Sequence, residues 1–446
     1  MTITRRSLIR YASLAASGHL AGLRPFGALN AFAQAAQNYK ALVCIFLFGG
    51  NDANNTLVPF DNVGYGNYAS LRGPLALPQN QLLQLSALPN YGLHPNLPEV
   101  AQLINSGVGA VIANVGTLIQ PTTPATVAAQ LNLPANLFSH SDQQLQWQNA
   151  AQSAATSTGW AGRMSDLLGS SFNPSASIPM ITTVDGDTLF CDGQSTTPMS
   201  VSPGNLGGVT CGEGVQECAV RQAMAQSFVS FSGGLSLVQA ANTTTQNAYQ
   251  YANVLTQAVT GAAPMATVFP ANNPLAAQLQ QIAQLMQVRS SFGVNRQIFF
   301  AGLGNFDTHA NQFPQQSLLL SQFSSALLAF YQATQELGIA NQVTTFTMSD
   351  FSRAMQPNSN SGCDHGWGSH HVVVGGAVKG GQLYGTYPTL AFGGPDDSGQ
   401  NGRWIPSTGS VQYAATLASW FGVNPAQLNT IFPNLSAFSQ SNLGFV

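Results

Sequence analysis

The chain has 446 residues, of which 44% are hydrophobic and only 7% are charged, and its formal net charge is −3. A chain of this length can bury a large core, either as two or three domains of roughly 100–200 residues or as one large α/β domain. The small number of basic residues argues against nucleic-acid binding, because that binding depends on side chains that neutralise phosphates.

The amino terminus has the features of an export signal. Arg5 and Arg6 form a pair before a short, weakly apolar stretch, and the "AFA" of Ala31–Ala33 offers an A-x-A cleavage site. We therefore predict a twin-arginine signal peptide over residues 1–33, the twin-arginine export machinery as partner of the precursor, and a periplasmic or secreted product. Cleavage would remove four arginines and leave nine basic against sixteen acidic residues, a net charge of −7. We expect no integral membrane segment in the mature chain.

Five apolar runs predict strands. Each is short, β-rich and apolar without alternation, which is typical of strands buried on both faces of a parallel sheet. In chain order they are "ALVCIFLFGGND", "GVGAVIANVGT", "RQIFFAGLGNFDTH", "QVTTFTMSDFS" and "HVVVGGAV". Helical patterns lie between them, most clearly over Gln315–Leu337 and Val411–Phe421. The alternation predicts an α/β fold over residues 34–446, with a mostly parallel sheet and helices on both faces.

Residues 195–290 interrupt this alternation with a Gly/Ser/Thr-rich loop and two or three Ala/Gln-rich helices, which we interpret as a helical insertion or cap. The five cysteines are odd in number, so at least one is free or pairs between chains. In an exported protein Cys191, Cys211 and Cys218 allow one disulfide, whose pairing the sequence leaves open.

Three of the apolar runs end in an aspartate: Asp52, Asp307 and Asp350. Ligands of open α/β sheets bind beyond the carboxyl ends of the strands, because loops and helix amino termini meet there. Three carboxylates at this edge would repel one another unless they were protonated, well solvated or neutralised by a cation. The pattern therefore indicates a divalent metal site.

Histidines follow the same strand ends. His309 comes two residues after Asp307, and the loop "CDHGWGSHH" contains Asp364, His365, His370 and His371. Mixed Asp and His ligation favours zinc or manganese, with magnesium or calcium at an oxygen-rich subsite. We expect Asp52 to share one crevice with His309 and His365.

The residues of this site also carry a family resemblance. The segments "GGNDANNTLVP", "GLHP", "SHSDQQLQW", "GWAGR", "FDTHANQ", "SDFSR" and "DHGWGSHHVVVGGAVKGGQLYG" occur in the order found in the exported bacterial family called domain of unknown function 1501. That family is similar to the alkaline phosphatase and sulfatase superfamily. The resemblance implies an alkaline phosphatase-like α/β fold, two metal ions, a nucleophile, and hydrolysis of phosphate or sulfate esters of a small molecule or glycan.

The resemblance also implies residue roles. Asp52 is similar to the acid after the first strand that bridges to one ion. Asp307 and His309 are similar to the acid and histidine that hold the other ion. Either Asp350, or Asp364 with His365, resembles the later Asp-His pair, and His371 or His370 resembles the last histidine. The family's usual "SEFGR" is "SDFSR" here, so Asp350 is one methylene shorter than the usual glutamate.

A nucleophile requires a hydroxyl or thiol at a helix amino terminus that faces the metals. Ser139 or Ser141 precedes a predicted helix, with His140 between them as a further site residue, and Thr56 competes from its place just beyond Asp52. Ser141 followed by Gln144 is also a simple capping box.

Few cations are available to bind an oxyanion: Arg353, Arg163 and Lys379 are the candidates, and each fits a structural salt bridge equally well. Two other functions remain open. One is a metal-stabilised binding or envelope-assembly protein without a competent nucleophile. The other is a serine hydrolase that uses Ser139 and His140, which the absence of a G-x-S-x-G motif disfavours.

Overall fold

A large mixed sheet organises the chain. The computed structural model describes residues 39–151, 156–208, 215–230, 234–399 and 401–446. The predicted signal peptide and Cys211 lie outside these ranges. Residues Lys40–Val446 belong to one compact unit. None of the helices in the described ranges combines the length and the hydrophobicity that crossing a membrane requires.

The strands in the described ranges are β1 Lys40–Leu47, β2 Leu57–Pro59, β3 Leu83–Gln84, β4 Tyr91–Leu93, β5 Gly109–Gly116, β6 Ile181–Thr183, β7 Met199–Ser200, β8 Arg296–Leu303, β9 Val343–Ser349, β10 Arg353–Pro357, β11 Cys363–His365, β12 Ser369–Val374, β13 Leu383–Tyr384 and β14 Thr408–Gly409. The α-helices are α1 Ala53–Thr56, α2 Asn62–Arg72, α3 Pro98–Asn105, α4 Pro124–Ala128, α5 His140–Asn149, α6 Trp160–Phe172, α7 Val215–Ser230, α8 Ser236–Thr260, α9 Pro274–Gln287, α10 Gln312–Glu336, α11 Ser410–Phe421 and α12 Leu428–Ile431.

The main sheet has the strand order β13-β5-β12-β9-β1-β8-β6-β7, with β14 also paired to β5. β1 lies in parallel between β8 and β9, so that Val43 is opposite Phe299 on one side and Thr345 on the other. Both long neighbours are buried along their whole length. All five predicted strands are present, and the predicted α/β class with a mostly parallel sheet is confirmed.

β12 is the exception to the parallel arrangement, because it runs antiparallel to both β5 and β9. A parallel return to the sheet needs a crossover connection, usually a helix. The chain between β9 and β12 instead forms the short antiparallel pair β10 and β11. The amino end of β12 therefore lies at the edge where β1, β8 and β9 have their carboxyl ends.

Helices cover both faces of the sheet. On one face, α6 and α11 pack against alternate β1 residues, including Leu42, Cys44 and Phe46. On the other, α9 packs against β8, and α10 packs against α9 and α3. Because the strands are buried on both faces, their side chains read as continuous apolar runs.

The predicted insertion, residues 195–290, contains α7, α8 and α9. α9 is largely buried and contacts β8, whereas α8 has only Ala252 and Leu255 buried among its described side chains. The insertion remains a prediction. In the same region Cys218 is disulfide-bonded, while Cys191 is free and buried, as are Cys44 and Cys363.

The adjacent histidines of β12 are buried in the sheet. His370 Nδ1 accepts a hydrogen bond from the Asn114 backbone N–H at 3.0 Å, and its ring stacks on Tyr387. His371 Nδ1 lies 3.2 Å from Thr347 Oγ1. Burial lowers the pKa of each histidine from 6.5 to about 3. Both side chains are therefore neutral core residues at neutral pH.

This burial predicts an acid-sensitive fold. The unfolded chain protonates each histidine below its ordinary pKa of 6.5, whereas the folded chain does so only near 3. Stability is therefore lost as the pH falls from about 6.5 towards 3. Between pH 7 and pH 5 we expect a loss of about 2 kcal/mol for each histidine. In His371→Phe, denaturant unfolding at the two pH values should show a loss smaller by about that amount. Equal losses in the variant and the wild type would contradict this account.

Candidate metal centre

Segments that are distant in the sequence meet at the edge where the parallel strands end. Asp307 and His309 follow β8, and Asp350 directly follows β9. His365 ends β11, just before the antiparallel β12, and His140 is the first residue of α5. This edge is the position where ligands of open α/β sheets bind.

Three of these residues form a compact group. His140, Asp307 and His365 each direct one ligand atom inward, and the three atoms lie within 4.8 Å of one another. Asp307 Oδ1 is 3.3 Å from His140 Nε2 and 3.7 Å from His365 Nε2. His309 adjoins the group, with its Nε2 3.2 Å from Asp307 Oδ1 and 2.8 Å from His365 Nε2. We call these four residues the His/Asp cluster.

The outer ring nitrogens of the histidines have acceptor groups beside them. His140 Nδ1 lies 2.6 Å from Asp350 Oδ2, and His365 Nδ1 lies 2.6 Å from the Phe138 carbonyl oxygen. A carbonyl oxygen can only accept, so Nδ1 of His365 carries the proton and its Nε2 presents a lone pair to the cluster. His309 Nδ1 lies 3.4 Å from Asp364 Oδ1. Metal-bound histidines are oriented by this kind of contact.

The residues fit a metal ion. His140 Nε2 is buried without a hydrogen-bond partner in the described structure. The Nε2 atoms of His309 and His365 lie 2.8 Å apart, which is the length of an N–H···N hydrogen bond. Zinc bonds of about 2.0–2.2 Å in a tetrahedron place neighbouring ligand atoms roughly 3.3–3.5 Å apart. The distances of 3.3 Å and 3.7 Å from Asp307 are close to that spacing, and the ligand atoms of His140 and His365 lie within 4.8 Å of each other.

Electrostatics support the charged form of Asp307. Burial alone would raise its pKa, but the hydrogen bond and charge of Arg353, together with His140 and His309, outweigh burial and lower it. The hydrogen bond to Asp350 raises the pKa of His140, which makes that imidazole a stronger electron-pair donor. Burial, assisted by the charge of Arg353, lowers the pKa of His365 despite the Phe138 carbonyl. His365 is therefore neutral and able to bind a metal.

The cluster is open to solvent. The side chains of His140 and His365 are 28% and 21% exposed, and those of Asp307 and His309 are 47% and 44% exposed. Phe351 packs behind two of the rings, with its centroid 4.8 Å from that of His140 and 4.7 Å from that of His365. One side of the cluster is thus apolar, and the other is accessible to a solute.

Asp52 is not brought to the cluster. Its Oδ2 accepts hydrogen bonds from the guanidinium of Arg72 and from the Gln312 amide, and its Oδ1 caps α1 by accepting from the Asn54 N–H. The carboxylate is almost fully buried beside a fully buried arginine. A buried arginine needs a compensating anion, which accounts for the acid at this position without a metal.

The other predicted ligands lie outside the His/Asp cluster. Asp350 is buried and accepts hydrogen bonds from the Gly49 N–H and the Gln144 amide as well as contacting His140, so it supports a ligand rather than facing the cluster. Asp364 is 56% exposed and lies behind His309. His370 and His371 are the second and third residues of β12, and both side chains are buried in the sheet core.

The predicted hydroxyl nucleophiles have structural contacts. Ser139 caps α5 and donates a 2.6 Å hydrogen bond to Asp142 Oδ2. Ser141 Oγ lies 3.1 Å from Ser139 Oγ, and Thr56 donates to the Asp52 carbonyl oxygen. None of these hydroxyls has a polar contact with the cluster in the described part of the chain. This helix is capped by Ser139 and not by the predicted box of Ser141 and Gln144, because the Gln144 amide donates to Asp350 instead.

The predicted cations also have structural contacts. Arg353 is fully buried and reaches Asp307 at 2.5 Å, but its other donors go to backbone carbonyls. Arg163 bonds to carbonyl oxygens that include those of Ile431 and Thr158, and Lys379 donates to the Gly444 carbonyl. His140 was predicted as a site residue but not as a ligand. The sequence signal for it was only its place at the start of a helix.

Residues 39–398 match the family described as "Protein of unknown function (DUF1501)". The chain belongs to the DUF1501 family. No curated protein has a sequence that matches this DUF1501 chain significantly.

Solved structures with a similar fold have low identity to the DUF1501 chain. Ps i-CgsB has a TM-score of 0.37 and 9% identity, over 89% of this chain and 77% of that one. The lipoteichoic acid synthase LtaP from Listeria monocytogenes has a TM-score of 0.36 and 8% identity, over 86% and 72%. A protein in the alkaline phosphatase superfamily from Vibrio parahaemolyticus has a TM-score of 0.33 and 10% identity, over 86% and 67%.

Two substitutions in the DUF1501 protein distinguish metal binding by the His/Asp cluster from the structural role of Asp52. We expect His365→Ala to lose most of the bound divalent ion, because one of three compact ligands is removed. Asp52→Asn should keep the ion but destabilise the fold by about 3–5 kcal/mol, because Arg72 loses its buried counter-charge. Elemental analysis and thermal unfolding of both folded variants measure these effects. Loss of the ion from Asp52→Asn with retention in His365→Ala would contradict the assignment.

The two carboxylates behind the histidines, Asp350 and Asp364, should also differ in how much they contribute to zinc affinity. Asp350→Asn removes the charge that orients His140 at 2.6 Å, so we expect zinc affinity to fall by about 10–100-fold. Asp364→Asn is the matched control, because its 3.4 Å contact with His309 is longer and its side chain is 56% exposed. Competition with a chromophoric chelator gives both affinities. A larger loss in the Asp364 variant would reverse the ranking.

Proposed function

We propose that this protein is an exported, metal-dependent hydrolase of phosphate or sulfate esters, acting on a small molecule or a glycan. The observation that carries the proposal is the convergence of His140, Asp307 and His365, with His309 beside them, at a solvent-open strand edge. Imidazole nitrogens with one carboxylate suit zinc, and manganese next. Three compact protein ligands would leave a coordination position for a substrate or water.

A bound divalent ion would supply Lewis acidity and lower the pKa of nearby water. The chain's own residues hold and orient it. Asp307 contributes negative charge, and Arg353 holds that carboxylate at 2.5 Å while its remaining donors bind the backbone. Asp350 fixes the tautomer of His140, and the Phe138 carbonyl fixes that of His365. These contacts preorganise the cluster before the substrate arrives.

We infer that water, rather than a side chain, attacks the ester. The hydroxyl of Ser139 is engaged by Asp142, and that of Thr56 is engaged by the carbonyl of Asp52. The exposed sides of Asp307 and His309 leave room for a solute at the cluster. This inference departs from the side-chain nucleophile that the family resemblance implies.

We also propose that the protein is exported after it has folded. The paired Arg5 and Arg6 support a twin-arginine signal over residues 1–33, and that pathway carries folded proteins. A protein whose ligands come from distant segments needs to fold before it can acquire an ion. We therefore propose that folding and metal binding precede export, and that the protein works in the periplasm or outside the cell.

A second candidate is a metal-stabilised binding or envelope-assembly protein. The cap formed by Ser139 and the contact of Ser141 with Ser139 favour it, because the hydroxyls expected to act as nucleophile are used structurally. In that case the cluster would hold an ion for stability alone.

Turnover distinguishes the two functions. Zinc- or manganese-replete protein should release phosphate or sulfate from a panel of aryl and glycan esters, and Asp307→Ala should lower the rate by at least about 100-fold, because the ion loses its anionic ligand. Ser139→Ala should retain most of the rate, since it loses only a helix cap worth about 0.5–2 kcal/mol of stability.

No release from any ester by the metal-replete wild type, together with a purely thermal effect of Asp307→Ala, would establish the binding function. A collapse of the rate in Ser139→Ala with the ion retained would restore the serine as nucleophile.

A further inference from the structure

Arg403 lies beside the His/Asp cluster and is held there by two contacts. Its Nε donates a 2.9 Å hydrogen bond to the carbonyl oxygen of His365, and its guanidinium carbon lies 4.3 Å from the centre of the Phe138 ring. The same Phe138 accepts the hydrogen bond from His365 Nδ1 through its carbonyl oxygen. The arginine is thus attached to both residues that form the His365 side of the cluster.

The loop that carries Arg403 is itself well anchored. The backbone N–H of Arg403 donates to Asp397 Oδ1 at 3.2 Å. The buried Asp397 also accepts hydrogen bonds from the backbone N–H groups of Gly393, Gly399 and Gly402. Because the carboxylate of Asp397 is committed to these backbone groups, it orders the loop. The position of the guanidinium is therefore set before any ligand binds.

The terminal nitrogens of Arg403 remain available. The half-buried side chain uses only its Nε within the described residues, and Nη1 and Nη2 have no hydrogen-bond partner there. Arg353 and Arg163 differ, because both of their terminal nitrogens bond to oxygens of the protein. A guanidinium that is held by its Nε and by an aromatic ring keeps its two terminal nitrogens free as a planar fork of donors.

We propose that Arg403 binds the oxyanion of the substrate through this fork. Two parallel N–H···O bonds from Nη1 and Nη2 fit a pair of oxygens on a tetrahedral phosphate or sulfate group. Arg353 cannot take this role, because it is fully buried and its donors are used. The inference rests on the proposed function: the cluster would hold the ion, and Arg403 would select esters that carry a negative charge.

Binding of inorganic anions to the metal-replete protein tests this role without turnover. Calorimetric titration with phosphate and with sulfate should give at least one measurable affinity for the wild type. Arg403→Gln should weaken that affinity by roughly 10–100-fold, because charge-assisted hydrogen bonds are lost. Arg403→Lys should weaken it less, since it keeps the charge but loses the fork.

Two controls keep the result specific. Metal content and thermal midpoint of Arg403→Gln should equal those of the wild type, which shows that His365 and Phe138 stay in place. Arg221→Gln, on α7, removes an exposed arginine that pairs with Glu217, and it should bind the anions like the wild type.

Each outcome is decisive for Arg403. Unchanged affinity in Arg403→Gln, or no binding of either anion by the metal-replete wild type, overturns its role. Wild-type turnover of an ester then decides the proposed function separately: release with unchanged anion affinity in Arg403→Gln means that only the role of Arg403 fails. Weaker binding in Arg403→Gln with unchanged metal content supports the role.

Discussion

The guanidinium of Arg353 holds together the loops on which the candidate site depends. It donates to the carbonyl oxygens of Gly49 and Gly50 after β1, of Phe306 after β8, and of Cys363 in β11, and it reaches the Asp307 carboxylate. Loops that cross a strand edge leave carbonyl groups without ladder partners, and buried carbonyls need donors. One buried arginine supplies donors to four of these carbonyls and to one carboxylate. Its position sets the position of Asp307, around which the three histidines gather.

A second buried arginine accounts for Asp52, the acid of the first loop. Arg72, from α2, bonds to Asp52 and also donates to the carbonyl oxygens of Ala354 and Met355 in β10. The two guanidinium groups share Cys363 as a neighbour, one through the sulfur and the other through the carbonyl oxygen. Most of the few charged side chains in this region therefore support the loops rather than the chemistry. The His/Asp cluster and Arg403 are the groups left to face solvent.

Much of the fold could be predicted because burial on both faces leaves a plain signal. The runs that became β1, β8 and β9 are rich in apolar and β-branched residues without alternation, and the loops after β8 and β9 carry Asp307 and Asp350. Strand direction could not be predicted, because a strand buried on both faces has the same pattern either way. The position of His371 has another cause: His365 ends β11 and reaches the edge, whereas His371 lies inside β12 with its side chain buried in the sheet core. The pairing of Asp52 with Arg72 could not be predicted either, because nothing in the sequence pattern links these two residues.

The wide separation of the cluster residues along the chain has a consequence for how the protein assembles. His309 and His365 are 56 positions apart, and His140 is 210 positions from the Asp350 that orients it. Contacts of such high sequence separation form only after long loops have closed, so they arise late on a folding pathway. No short fragment could bring these ligands together. An ion at the cluster would bind only the fully folded chain. It would therefore shift the folding equilibrium towards the native state by mass action, as any ligand does that binds only that state.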